Sequence, residues 1–292
     1  MSILAVFSTL ALACSLAACT ATTPAVSSNS APVVVTGTQA SNAPQESTQA
    51  APIVPVYWIG RSDGAKVLYR EFLPLAPGAD PIKTAIEKMT GSKPLDPDYS
   101  TPWSKASKVT ASISASGGIT VDLSADAFNT SLDESTARLA LQQLVYTATA
   151  AATNAGLLDT GTNIPVSVLV DGHTGFLAFD RVKLDGPLIR DRTAPAPLWI
   201  INPQQGQQYK GRPQTLTGRT TNTSGPVSWS VVARDTSAII QTGTAPAADP
   251  TTGSFTITLT LPPGSYRLEM FWTSADSPTT KHGLDTKDFT VV

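Results

Sequence analysis

Between residues 54 and 184 hydrophobic positions recur with two different periods, and each switch marks an element. Val54-Pro55-Val56-Tyr57-Trp58-Ile59 and the stretch Lys66 to Leu75 read as strands, parted by the turn signal Arg61-Ser62-Asp63-Gly64. Ile82, Ala85, Ile86 and Met89 then fall on one face of a helical period, with Asp80 to cap the helix, Pro81 at its first position and Gly91 to end it. Lys93 to Lys105 carries Pro94, Pro97 and Pro102 and predicts a loop. Val109, Ala111 and Ile113, then Ile119, Val121 and Leu123, alternate around Gly117-Gly118 and predict a hairpin with one buried face. Ala137, Leu141, Leu144, Val145 and Ala148 form a second helical stripe, opened by a Ser131–Glu134 capping box and closed at Asn154-Ala155-Gly156. Val166, Val168 and Val170 predict a strand, with Asp171-Gly172 turning it toward a return over Phe176 to Phe179. This order predicts an α+β fold, a sheet with two helices on one side.

Residues 185–197 hold three prolines and four charged side chains and read as a linker. Across 198–292 no helical period survives. Val227, Trp229 and Val231 alternate, as do Phe255, Ile257, Leu259 and Leu261, and then Tyr266, Leu268, Met270 and Trp272 after Pro262-Pro263-Gly264. Short strands punctuated by turns predict an all-β immunoglobulin-like sandwich.

The amino-terminal pattern is different. Ile3 to Ala18 is apolar or small, too short to favour a spanning helix, which needs about 20 apolar residues. It has the character of a secretory signal over residues 1–18, although no Lys or Arg precedes it. It ends in Leu16-Ala17-Ala18-Cys19, which resembles the lipobox of bacterial lipoproteins; Cys14, after Ala11-Leu12-Ala13, fits less well. The resemblance implies cleavage before Cys19 and diacylglycerol on its thiol. Each buried lipid CH2 contributes about 0.8 kcal/mol, so two or three chains anchor firmly. The mature chain would then hold one, acylated cysteine, with no disulfide and no catalytic thiol. Residues 19–53, rich in Ala, Ser, Thr and Pro, read as a disordered tether with a root-mean-square span of about 30 Å.

Composition narrows the function classes. The 292 residues include 41% hydrophobic side chains, enough for folded cores, and carry a net charge of −2, which gives no electrostatic reason to expect nucleic acid. Two histidines and two cysteines argue against a zinc or iron–sulfur enzyme, and His173 and His282 fall in turns of different domains. No cofactor is expected. There is no G-x-S-x-G elbow and no penicillin-binding set, and Gly206 to Arg212 lacks the Lys and hydroxyl of a phosphate loop, so it reads as a turn. Glu71, Asp122, Asp126, Asp171 and Asp180 are candidate glycosidase carboxylates, but their spacing selects no pair, and Arg70 and Glu71 on one strand point to opposite faces. Trp229 and Trp272 share the alternation of apolar neighbours and read as core, as do Trp58 and Tyr146; Trp103 in its proline-rich loop reads either as a lid or as an exposed contact. A candidate binding surface would draw on Trp58, Arg70, Glu71, Trp103, Asp122, Tyr146 and Asp171.

Residues 54–184 resemble the GerMN domain of sporulation and spore germination proteins. The resemblance rests on Val56-Tyr57-Trp58, Leu68-Tyr69-Arg70-Glu71, Thr120-Val121-Asp122-Leu123-Ser124, Gln143-Leu144-Val145-Tyr146-Thr147 and Val168-Leu169-Val170-Asp171-Gly172, in the family's order. Residues 198–292 resemble the immunoglobulin-like domain of bacterial spore germination, through Ile200-Ile201-Asn202-Pro203, Leu216-Thr217-Gly218, Gly253-Ser254-Phe255, Pro263-Gly264-Ser265-Tyr266 and Asp288-Phe289-Thr290-Val291. Together these imply a non-enzymatic envelope lipoprotein on the outer face of the membrane. Its partners would be the membrane, through lipid on Cys19, and an envelope protein or wall polymer; a homo-oligomer fits as well. The alternatives are a glycan- or small-ligand-binding lipoprotein and a peptidoglycan hydrolase.

Overall fold

Asp63 and Gly64 both take positive φ, 48° and 84°, and so close the tight turn that a two-residue hairpin demands. They join β1 (Ile53–Ser62) to β2 (Ala65–Pro74), antiparallel in unbroken register from Ile53↔Pro74 to Ser62↔Ala65. The computed structural model describes residues 52–159, 163–221, 225–274 and 276–292; the apolar segment, Cys14, Cys19 and all but the last two residues of the tether lie outside them.

The run of β1 is apolar on both faces, and both are covered. Val54, Val56 and Trp58 join Tyr69 and Leu73 in the main core, against α1 (Pro81–Gly91) and a longer helix over Glu134–Asn154. Tyr57, Ile59 and Leu68 form a smaller cluster with Tyr146, Ala150 and Ala194. Asp80 caps α1 as expected, its side chain accepting from Lys83 N at 2.9 Å. Next come β3 (Val109–Ile113) and β4 (Ile119–Leu123), the antiparallel hairpin around Gly117-Gly118.

The second helix, α2 (Glu134–Asn154), is not opened by Ser131. Asp133 caps it, accepting from Thr136 N at 2.8 Å, because a carboxylate one turn before the first free N–H groups meets both the donors and the helix dipole. The expected stripe is buried, and from Gln143 to Ala152 burial extends around every face, since the Ala and Thr side chains there let neighbours approach closely. The free edge of β1 is closed by this helix: Gln143 Nε2 donates to Tyr57 O at 2.8 Å, and Tyr57 N donates to Thr147 Oγ1 at 3.1 Å.

A helix of this length crosses over, so β5 (Val166–Val170) lies parallel to β4 rather than antiparallel, giving a three-stranded sheet β3-β4-β5. The chain does not return along β5. Val170 and His173 close a short turn, and β6 (Leu177–Ala178) pairs instead with β7 (Val182–Lys183). The α+β character holds, with the strands divided among separate sheets.

Residues 185–197 pair first with β5, through Leu188 and Val166, and then with β2: Leu68 N donates to Ala194 O at 2.8 Å, and Ala196 N to Leu68 O at 2.9 Å. Ala194 and Ala196 are buried there. The β-sandwich follows. Its strands are β8 (Leu198–Asn202), β9 (Gln207–Tyr209), β10 (Gln214–Thr220), β11 (Val227–Ala233), β12 (Ile239–Thr244), β13 (Ser254–Leu259), β14 (Gly264–Ser274) and β15 (Ser277–Val291). One sheet has the order β13-β10-β8 and the other β12-β11-β14-β15-β9. Leu216, Val231, Leu268, Met270 and Phe289 fill the space between them, with Trp229 and Trp272 at its margin. The stretch read as a plain turn after Gly206 includes β9, which runs parallel to the end of β15.

Candidate functional site at the domain junction

Strand geometry sends Arg70 and Glu71 to opposite faces of β2, and each enters a different polar cluster. Glu71 is fully buried. Its two oxygens accept from Leu95 N and Asp96 N, both at 2.8 Å, in the loop after α1. The Asp96 carboxylate accepts from Asp98 N at 2.9 Å and pairs with Lys287 of β15. Lys287 also donates to Tyr99 Oη at 2.6 Å and sits 4.1 Å from the centre of that ring. Tyr99 Oη in turn donates to Asp285 Oδ1 at 2.8 Å, and Asp285 Oδ2 accepts from Ile200 N of β8 at 2.6 Å. Tyr69 stacks on Tyr99 with ring centres 4.6 Å apart. Three carboxylates and one ammonium thus share a nearly dry space between the two domains.

Burial raises the pKa of Glu71, against the pull of its two N–H donors, and raises that of Asp285, against Lys287. Burial also pushes Tyr99 up, with Asp285 adding to the effect. The junction is extended by Gly283 N, which donates to Asp63 at 3.1 Å, and by Phe72 N, which donates to Gln204 Oε1 at 3.0 Å. A cleft of about 410 Å³ opens beside it, lined by Arg61, Lys66, Tyr69, Tyr99 and Asp285 among others.

On the other face of the hairpin, Arg70 stands directly across from Tyr57. The Tyr57 ring lies 5.1 Å from that of Tyr146, whose hydroxyl donates to Asp191 O at 2.8 Å and whose pKa burial raises to about 12. Arg190 covers Tyr146, with its Cζ 4.7 Å from the ring centre, and donates from Nε to Thr149 Oγ1 at 2.7 Å. Arg219 of β10 lies 5.2 Å from the Trp199 ring, and Arg70 lies 4.9 Å from that of Phe72. The Nε atoms of Arg70 and Arg219 are buried without a hydrogen-bond partner. Burial lowers the pKa of Arg219, and Arg70 and Arg190 lower it further.

Of the seven residues expected to form a binding surface, the structure joins Arg70 and Tyr146 in this second cluster and places Glu71 in the first. The other four lie elsewhere. Trp58 is completely buried between the hairpin and the helices. Trp103 is no exposed contact: its Nε1 donates to Ala140 O at 3.2 Å, and its ring packs edge-on against Phe128 and Phe179. Asp122 and Asp171 brace the ends of β4 and β5, accepting from Gly172 N at 2.9 Å and Ala125 N at 3.2 Å. The seven therefore form no single surface, because the aromatic ones serve the core and these aspartates tie loops. His282 lies within β15, beside the Trp272 ring, rather than in a turn. Among the described residues no group of three or more His, Cys, Asp or Glu side chains could hold a metal, and no helix is long and apolar enough to cross a membrane.

Lys287 and Arg219 are not among the residues the sequence singles out, although the sequence carries a signal for the first. Asp285 and Lys287 fall on the same alternation as Phe289 and Val291, charged side chains in inward register.

Residues 55–175 match the family model described as sporulation and spore germination, and residues 197–278 match the one for the immunoglobulin-like domain of bacterial spore germination. The tandem GerMN domains of the sporulation protein GerM from Bacillus subtilis are similar at 19% identity, over 48% of this chain and 45% of that one, with a TM-score of 0.37. The first GerMN domain of that protein alone is similar at 17% identity, over 49% of this chain and 99% of its own, with a TM-score of 0.35. CopC from Methylosinus trichosporium OB3b is similar at 19% identity, over 32% of this chain and 92% of its own, with a TM-score of 0.24. No curated protein matches the sequence.

Proposed function

We propose that this chain, a GerMN-like domain followed by an immunoglobulin-like domain of the bacterial spore germination type, is a non-enzymatic, lipid-anchored lipoprotein. It would act as a binding or assembly module in a sporulation, germination or related cell-wall process. The junction supports the modular half of this reading. Burying Glu71, Asp96, Asp285 and Lys287 between the domains costs desolvation, and the return is a fixed relative orientation. A fixed orientation suits a body that presents a surface to a partner, whether another envelope protein, a wall polymer or a second copy of itself.

The anchoring half rests on Leu16-Ala17-Ala18-Cys19 at the end of an apolar run and on the low-complexity tether that follows. The test is metabolic labelling of cells with an alkyne-tagged palmitate analogue, followed by fractionation. Wild type should carry the label in the membrane fraction, and Cys19→Ala should lose the label and leave the membrane. Unlabelled wild-type protein in the medium or cytosol would overturn the anchoring. Turnover of purified peptidoglycan by the full chain, abolished by Glu71→Gln or Asp122→Asn, would overturn the non-enzymatic assignment.

A further inference from the structure

We propose that Arg70, Arg190 and Arg219 form a binding site for a phosphate ester group at the junction of the two domains. The inference rests on the reading of this chain as a binding module and gives that module a ligand chemistry.

The three guanidinium groups come from three separate segments: β2, the connection between domains, and β10. Among the described residues none of them pairs with a carboxylate. The acid next in sequence, Asp191, spends Oδ1 on Thr193 N and Oγ1, at 2.9 and 2.7 Å. Like charges gathered this way repel, and each is instead held over an aromatic ring, a contact that orients the fork without neutralising it. The buried, unpartnered Nε atoms of Arg70 and Arg219 lack an acceptor, an expensive condition for a charged donor. A bound anion corrects both the repulsion and the missing acceptor.

The geometry favours phosphate over carboxylate. A carboxylate offers two oxygens in one plane and is satisfied by a single bidentate arginine. A phosphate ester offers two or three oxygens directed tetrahedrally, which suits forks arriving from separate segments. Both a free phosphate ester and a lipid headgroup present this chemistry.

The experiment is calorimetric titration of the full chain in detergent with inorganic phosphate, glycerol 3-phosphate and acetate. It is paired with sedimentation of the unlipidated Cys19→Ala chain on phosphatidylglycerol and phosphatidylcholine vesicles. Saturable binding of either phosphate probe, at least about tenfold weaker in Arg219→Gln and Arg190→Gln, is the expected result. Arg190→Lys, which keeps the charge and loses the fork, should also weaken binding. Arg212→Gln, at an exposed position in the same sandwich, should leave it unchanged. Sedimentation on phosphatidylglycerol vesicles that glycerol 3-phosphate does not displace would assign the site to a headgroup; displacement would assign it to a free ester. No saturable binding by wild type, acetate binding as tightly as phosphate, or equal loss in Arg212→Gln would overturn the proposal. The wild-type titration decides the matter even if a variant fails to fold. Because none of these readouts depends on Cys19, a chain that is lipid-labelled yet binds no phosphate refutes this inference alone.

Discussion

Lys287 donates to the hydroxyl of Tyr99 at 2.6 Å, joining the last strand of the sandwich to the loop that follows the first helix, 188 residues away in sequence. Both residues are buried, and Asp96, Asp285 and Glu71 surround them. A buried charged cluster therefore joins the two domains, and that relationship carries the first two predictions.

Replacing the cation should unfold the junction. Lys287→Met leaves Asp96 and Asp285 buried without their counter-ion, and breaking a buried pair this way costs about 3–5 kcal/mol. A shift of the urea midpoint checks it. Adding Asp96→Asn and Asp285→Asn to Lys287→Met should recover much of the loss, since the stranded charges are then gone. A Lys287→Met chain as stable as wild type would mean that the cluster is not closed in solution.

Stability should also depend on pH in a defined direction. Burial raises the pKa of Glu71 above 4.5 and that of Asp285 above 3.8, so the folded state holds protons that the unfolded chain would release. Their contribution is complete below those ordinary values and is lost as pH rises through the folded ones. Asp288, paired with Arg267, has the opposite sign: its contribution is present above 3.8 and lost in acid. The urea midpoint should thus fall as pH rises from the ordinary carboxylate range through the folded-state values of the two buried acids. Asp285→Asn should flatten that slope. A midpoint that rises over this range would contradict the assignment.

Leu144 is fully buried in the middle of α2, against the core shared with β1. Leu144→Ala should cost about 2–5 kcal/mol by denaturant titration. A cost below about 1 kcal/mol would require a cavity that collapses almost completely.

Gly283 has φ of +57°, and a Cβ there would come within 1.7 Å of the Trp272 ring. Its N–H is also the donor to Asp63 across the junction. Gly283→Ala should cost about 1–3 kcal/mol through overpacking, with a further penalty for the left-handed backbone. The change should appear both as a lower melting temperature and as altered tryptophan fluorescence.

At the start of α2, Asp133→Ala should lower the melting temperature more than Ser131→Ala, because Asp133 alone of the two accepts from the first turn of the helix. The reverse ranking would restore the Ser131 capping box.

Much of the fold is legible in the periodicity. Asp80, Pro81 and Gly91 bound their helix because caps act locally, and the stripe from Ala137 to Ala148 is buried because a helix must bury its apolar face. Ser131 and Asp133 offer two local capping signals only two residues apart, and the carboxylate prevails. Strand direction was harder to read. Nothing within Val166 to Val170 says whether it pairs parallel to β4; that depends on α2 crossing over, which is a long-range matter.

The site was less legible still. Arg70 and Glu71 announce two opposite destinations, yet the charges gathered at them include Arg190, Arg219 and Lys287, distant in sequence. Only the inward register of Asp285 and Lys287 pointed to a buried charge, and it did not say which carboxylates would answer it.

The pairing of Asp96 with Lys287 spans 191 residues, most of the folded part. In a chain delivered amino end first, Glu71, Asp96 and Tyr99 emerge long before their ammonium does. Until β15 arrives, the first domain displays an acidic, aromatic wound where the second will seal it. Closure of the junction therefore waits on the final strand, and a chain cut short of Lys287 would be left with an open acidic seam.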